Sequence, residues 1–219
     1  MKSEAELRDD LCLWGRSFFQ RGLTSGSSGN LSVRLPDGGF LTTPTNACLG
    51  CLSPERLSRL DARSRHIAGD APTKEVPLHM AFYAARAQAG AVVHLHSTYA
   101  TALSCLRGID PANVLAPITP YAVMRIGRLP LLPYAHPGSD MGPMVREVAK
   151  DHVAVLLANH GPVVSGATLE AAVYAAEELE ETAKLLFVLR GHEVKRLTLE
   201  QVAELEARFD LRGKGPRPS

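Results

Sequence analysis

Six consecutive residues, Val153-Ala154-Val155-Leu156-Leu157-Ala158, carry no polar side chain. A run this short and this apolar reads as a fully buried strand. The rest of the chain supplies what would bury it. Leu7, Leu11, Trp14 and Phe18 recur at i, i+4, i+7 and i+11, which predicts an amphipathic helix over residues 4–21 with Gly22 to stop it. Leu31, Val33 and Leu35 alternate with Ser32 and Arg34, the period of a half-buried strand. The turn Pro36-Asp37-Gly38-Gly39 then leads into a hairpin partner over residues 40–43. Ser53-Pro54-Glu55 opens a short helix, and Thr73 caps a longer one reaching Ala89. Strands are expected over residues 91–96 and 129–134, and helices over 97–106, from Thr168 to about Arg190, and from Thr198, where Gln201 completes a capping box. These elements alternate without a regular strand–helix–strand rhythm, so the expected class is layered α/β with a mixed or antiparallel sheet.

At 219 residues and 23.6 kDa one domain is the default, here residues 1–210, with 211–219 a disordered tail. The 24 Lys and Arg against 23 Asp and Glu leave a net charge of +1, which gives no electrostatic footprint for nucleic acid or an anionic membrane. No apolar run approaches the ~20 residues of a membrane span. The first residues carry acids rather than the apolar stretch of a signal peptide, so a cytoplasmic location is expected. The four cysteines are expected to be thiols, and Cys48-x-x-Cys51 has no second pair and no thioredoxin-like context that would make it a redox or zinc motif.

Chemistry concentrates in Val93-His94-Leu95-His96. On a strand both imidazoles share one face while Val93 and Leu95 point into the core. Alone this is half of a metal site or two polar residues facing solvent. His160, in Asn159-His160-Gly161-Pro162 at the end of the buried strand, is placed to line the same site or to bond backbone in a turn. Three histidine ligands would leave an open coordination position, the catalytic pattern for zinc. His66, His79, His136, His152 and His192 read as structural or surface residues. Glu75 begins a helix, where the dipole favours a carboxylate, and can equally stand beside a metal as base or ligand. Gly26-Ser27-Ser28-Gly29-Asn30 offers amides and hydroxyls that can hold an anion, though a plain turn fits as well. Thr43-Pro44-Thr45-Asn46 and Thr73-Lys74 add small donors and a cation. The run Glu177-Glu178-Leu179-Glu180-Glu181 reads as a solvated helix face with Glu180 paired to Lys184.

Taken in order, Gly29-Asn30, Thr43-Pro44-Thr45, Thr73-Lys74-Glu75, His94-Leu95-His96 and His160-Gly161 resemble the class II aldolase/adducin family over roughly residues 5–208. The resemblance implies a three-layer α/β/α fold with a mainly antiparallel sheet, assembled as a homotetramer with sites between subunits. It implies that His94, His96 and His160 hold one Zn2+ or another divalent ion per subunit. Glu75 would be a proton acceptor that can touch the metal, and Tyr121 the proton donor. A substrate phosphate would be bound by Ser28, Gly29, Asn30, Thr45, Asn46, Thr73 and Lys74. The chain departs from the family's sugar-phosphate aldolases at Asn46, where they have Gly, and at Lys74, where a small hydroxyl residue is usual. The segments 44–50, 69–75 and 158–162 are more similar to a decarboxylase branch that acts on a phosphorylated four-carbon oxo sugar acid in sugar-acid catabolism. That branch yields dihydroxyacetone phosphate and carbon dioxide through a metal-stabilised enediolate. The rival expectations are an aldolase acting on fuculose or ribulose 1-phosphate, and a non-catalytic adducin-like interaction module.

Overall fold

The computed structural model describes residues 2–135 and 141–209. The expected disordered tail and His136 lie outside the described residues. The chain begins with α1 (Glu4–Gln20), started by a reciprocal Ser3–Glu6 capping box and burying Leu11 and Phe18. The hairpin β1 (Asn30–Arg34) and β2 (Phe40–Thr42) follows, then β3 (Ser58–Leu60), β4 (His66–Ala68), α2 (Val76–Ala85), β5 (Ala91–His94) and α3 (Thr98–Ser104). The second half holds α4 (Pro120–Arg125), β6 (Leu131–Leu132), α5 (Met141–Val148), β7 (Ala154–Leu157), β8 (Gly161–Gly166), α6 (Leu169–Val188) and α7 (Leu199–Arg208).

The strands form one sheet in the order β4-β3-β2-β1-β5-β8-β7-β6. Every pairing is antiparallel except β6 with β7. Side-chain alternation assigns the two faces. Leu31, Val33, Val93, Leu95, Leu156 and Val164 pack with residues of α1, α3 and α6. Val92, Val155, Leu157 and Val163 pack on the other face with Leu78 and Phe82 of α2 and Val145 of α5. The architecture is therefore α/β/α around a mainly antiparallel sheet, and the apolar run at 153–158 forms a strand covered on both sides. Among the described residues no helix is long and apolar enough to cross a membrane.

Several elements differ from expectation. The helix expected over 73–89 spans only Val76–Ala85, with Glu75 rather than Thr73 as N-cap. Arg86 turns extended to end the helix, and Gly90 beyond it lies close against the segment leading into α6. Its N–H bonds Gly166 O at 2.8 Å, and a Cβ there would stand 2.2 Å from Ala167 O. Ser53-Pro54-Glu55 opens only a 3-10 turn, Pro54–Arg56. The strand expected over 129–134 narrows to Leu131–Leu132. Gly161-Pro162 opens β8: proline is tolerated at the start of a strand, where its missing N–H costs least. The acidic run of α6 is not uniformly solvated. Glu180 is buried, and its two carboxylate oxygens each accept a backbone N–H of α3, Tyr99 and Ala100, at 2.8 Å. Lys184 stands 3.7 Å from Glu181 instead. All four cysteines are free.

Candidate metal centre

β5 sits at the middle of the sheet and ends at His94, so His94 and His96 leave the strand on the same side, facing away from the core that holds Val93 and Leu95. The turn from β7 to β8 carries His160 back to this point. Asn159 makes that turn in the left-handed region, φ 57°, which a short polar side chain tolerates. Gly161 next to it passes so close to β5 that a Cβ would lie 2.4 Å from Leu95 O. The result is a cluster of Glu75, His94, His96 and His160 whose ligand atoms all lie within 4.8 Å of one another.

The donor set fits a divalent cation. His94 Nδ1 lies 2.9 Å from Pro162 O, a carbonyl that can only accept, so Nδ1 carries the proton and Nε2 presents a bare lone pair. That Nε2 is 3.0 Å from His96 Nε2 and 3.3 Å from His160 Nε2. Two nitrogens bound to one tetrahedral zinc at ~2.0–2.1 Å would themselves be ~3.3 Å apart. Glu75 closes the cluster, with Oε2 3.4 Å from His94 Nε2 and Oε1 3.4 Å from His160 Nε2. Burial pushes the His94 pKa down to about 3 despite the neighbouring Glu75. Burial lowers His96 too, with His160 adding to the effect, so both imidazoles are neutral at neutral pH. Burial opposes ionisation of Glu75, but His94 and the Asn30 amide outweigh it and hold the carboxyl below its ordinary range.

The segments expected to bind phosphate converge beside Glu75. Thr45 N donates to Ala71 O at 2.9 Å and Thr73 N to Thr43 O at 3.2 Å, so the two threonine segments run side by side. Thr43 Oγ1 accepts from Leu31 N at 3.2 Å, and Thr73 Oγ1 from Glu75 N at 3.2 Å. Asn46 holds φ 56°, the backbone reason for a Gly or an Asn at that position. Gly29 enters β1 with φ 79°. Ser28 Oγ donates to Ser25 O at 2.7 Å, and Lys74 is exposed. Asn30 Nδ2 donates to Glu75 Oε2 at 2.7 Å, which uses one of the amide's two hydrogens.

Tyr121 is elsewhere. It stands in the first turn of α4, which packs on α6 and α7, is 55% exposed, and has the Arg125 guanidinium 6.0 Å from its ring. No hydrogen bond joins it to the four-residue cluster among the described residues. Of the other histidines, His66 bonds Ala68 O, His152 bonds Arg128 O, and His192 is exposed. His79 is different: it is fully buried between Ser32 and Asn30, directly behind Glu75. The sequence signal for it was Glu75-x-x-x-His79, the i, i+4 spacing that stacks two side chains on one helix face.

Residues 9–187 match the Class II Aldolase and Adducin N-terminal domain. The 3-oxo-tetronate 4-phosphate decarboxylase of Escherichia coli strain K12 is 51% identical over 207 residues, covering 94% of this chain and 98% of its own. The L-fuculose phosphate aldolase of Haemophilus influenzae is 33% identical over 207 residues, covering 93% and 92%. The crystal structure of YgbL from Klebsiella pneumoniae superposes with a TM-score of 0.92 at 49% identity, covering 94% of this chain and all of that one.

Proposed function

Because the chain belongs to the class II aldolase and adducin family, we propose that it is a metal-dependent carbon–carbon lyase that decarboxylates 3-oxo-tetronate 4-phosphate in four-carbon sugar-acid catabolism. The observation that carries this reading is the 51% identity, across almost the full length of both chains, to a relative bearing that name, against 33% to an aldolase. Residues 1–210 act as one catalytic unit in the cytoplasm, assembled as a homotetramer.

The substrate is a β-keto acid. Breaking its C1–C2 bond releases carbon dioxide and leaves an electron pair that must be held across C2 and the C3 carbonyl, then protonated at C2 to give dihydroxyacetone phosphate. A divalent ion, Zn2+ in our reading, held by His94, His96 and His160 with Glu75 adjacent, supplies Lewis-acid polarisation and electrostatic stabilisation of that charge. Glu75, ionised and oriented by Asn30, takes the C2 hydroxyl proton as charge builds beside it and returns it to the product. Tyr121 delivers the proton to C2. Its exposure on α4, away from the cluster of its own chain, favours service to the site of a neighbouring subunit. Ser28, Gly29, Asn30, Thr45, Asn46 and Thr73 take the phosphate through small donors and backbone amides. Lys74, exposed beside them, orients a charged end of the substrate.

An aldolase would form the same kind of electron-rich intermediate by expelling an aldehyde, so the leaving fragment distinguishes the two. The test is incubation of the zinc-loaded protein with 3-oxo-tetronate 4-phosphate and, separately, with fuculose and ribulose 1-phosphates. Carbon dioxide from the first substrate alone is expected. Aldehyde from a ketose phosphate with no carbon dioxide from the oxo acid would make the protein an aldolase, and no turnover of any of them would favour an adducin-like module.

A further inference from the structure

Behind Glu75 the protein buries a line of polar groups that the reaction itself does not call for. Tyr83 OH lies 2.8 Å from Ser32 Oγ, Ser32 Oγ lies 2.7 Å from His79 Nδ1, and His79 Nε2 lies 2.5 Å from Asn30 Oδ1. Asn30 Nδ2 then reaches Glu75 Oε2 at 2.7 Å. Ser32 and His79 are no more than 1% exposed, and Tyr83 only 5%. A buried polar chain of this kind is stable only when every member has a partner of the right sense, so the direction of each hydrogen bond can be deduced.

The deduction starts at Glu75, whose ionised carboxylate can only accept. Asn30 must therefore turn its NH2 group to Glu75 and its carbonyl oxygen inward. That oxygen can only accept, so His79 donates from Nε2. Burial drives the His79 pKa down to about 4, against a weaker opposing pull from Glu75, and the ring is neutral. Its Nδ1 is then a lone pair, which requires the Ser32 hydroxyl to donate to it. Tyr83 completes the line by donating to Ser32. Every hydrogen in the chain points toward the carboxylate, and only one imidazole tautomer is compatible with it.

The geometry points to His79 as a positioning residue: by holding the Asn30 carbonyl, it fixes the amide so that its N–H faces Glu75 and sets which way that carboxylate turns. An Asn side chain is nearly symmetric in shape, and its two orientations differ only in which end meets Glu75. The reversed amide would set Oδ1 against Oε2, acceptor to acceptor. The His79 ring excludes that orientation through Asn30, its two nitrogens being bonded to Ser32 and Asn30 rather than to the Glu75 carboxylate. This assignment rests on the proposed role of Glu75 for its kinetic consequence, but not for the tautomer.

Two measurements test it. In the metal-loaded protein with 15N-labelled histidine, the His79 signal, identified by its loss in His79→Gln, should report a protonated Nε2 and a bare Nδ1. The opposite tautomer would mean a reversed amide and would overturn the assignment. In decarboxylation assays His79→Leu should lower kcat by about tenfold to a hundredfold, the usual effect of removing a group that orients a metal-site residue. His79→Gln, whose amide N–H can replace Nε2–H, should recover most of that loss. Asn30→Ala should be impaired, and the double variant Asn30→Ala/His79→Leu should be no slower than Asn30→Ala alone. Losses that multiply would show that His79 acts through general packing and would overturn the proposal. If His79→Leu fails to fold, the His79→Gln recovery is judged against His79→Asn, which is too short to reach Asn30 and should be slow; equal rates in the two overturn it. A wild-type protein that releases no carbon dioxide would sink the functional reading, and the tautomer would still decide the fate of the relay.

Discussion

His94 shows how much a single hydrogen bond decides. Because Pro162 O takes the Nδ1 proton, Nε2 is committed as a lone pair directed at two other imidazoles and a carboxylate. His94→Ala or His96→Ala should therefore purify with little or no divalent ion where the wild type carries one per chain. Elemental analysis checks this, and full occupancy in both variants would refute the ligand set. His79 ties the stability of the fold to pH. Its pKa is about 4 in the folded protein and ~6.5 in an unfolded chain, so between these values the unfolded state binds a proton that the folded state refuses. Stability from this residue is fully present above about pH 6.5 and is lost as the pH falls to about 4, by about 3 kcal/mol in all. Urea unfolding of the metal-free wild type and His79→Gln should show the wild type losing that much more stability than the variant between pH 7 and 4. The convergence of His94 and His96 was legible in the sequence because strand alternation forces them to one side. His79 was not, because burial and partners on the distant strand β1 leave no local pattern beyond its spacing from Glu75.

Among the elements, α3 and α6 carry the least obvious dependence. α3 begins immediately after the His-x-His segment, and its first free N–H groups are satisfied by Glu180 from the middle of α6 rather than by a cap of its own. Glu180→Ala would leave one buried and one part-buried N–H unpaired, at a cost of about 3–6 kcal/mol, since hydrogen bonds to a charged acceptor contribute roughly 1.5–3 kcal/mol each. Calorimetry should record a fall of several degrees in Tm, with Glu180→Gln losing less because it keeps one acceptor. α1, β1, β7 and α6 were readable from periodicity and capping, because each buries one continuous stripe or face. β3 and β4 are three-residue strands at one end of the sheet, β4 on its edge, and β8 opens on Gly-Pro. Such segments are strands by virtue of their neighbours, and a single sequence carries little sign of it. The acidic run in α6 was misread for the same reason: composition says solvent, but Glu180 faces α3.

At the scale of the whole molecule, the proposed donor and the proposed acceptor of protons lie on different parts of one chain with no bond between them. If Tyr121 serves a neighbouring site, Tyr121→Phe should lower turnover by ~10²–10⁴-fold while metal content is kept, the usual worth of a positioned acid. Mixing it after dissociation with Glu75→Gln, itself inactive, should then restore about a quarter of wild-type activity, because roughly one random subunit pair in four joins an intact Glu75 to an intact Tyr121. No recovery in mixed oligomers, verified by light scattering, would place the donor within one chain. The layered α/β class was legible from the alternation of elements and the α/β/α order only from the family resemblance, whereas nothing in a single sequence reports which surfaces would meet a second copy. One more consequence follows from where the histidines sit. His94 ends β5 and His160 immediately precedes its neighbour β8, but the chain between them passes through α3, α4, β6, α5 and β7. Closing so long a loop carries an entropic penalty that only β5–β8 pairing can offset, and such distant contacts tend to form late in folding. The cluster of Glu75, His94, His96 and His160 is then expected to be incomplete at the rate-limiting barrier. Stopped-flow measurements should find that zinc leaves the refolding rate nearly unchanged and slows unfolding, so that the ion acts as a latch on the finished molecule rather than as a seed for its assembly.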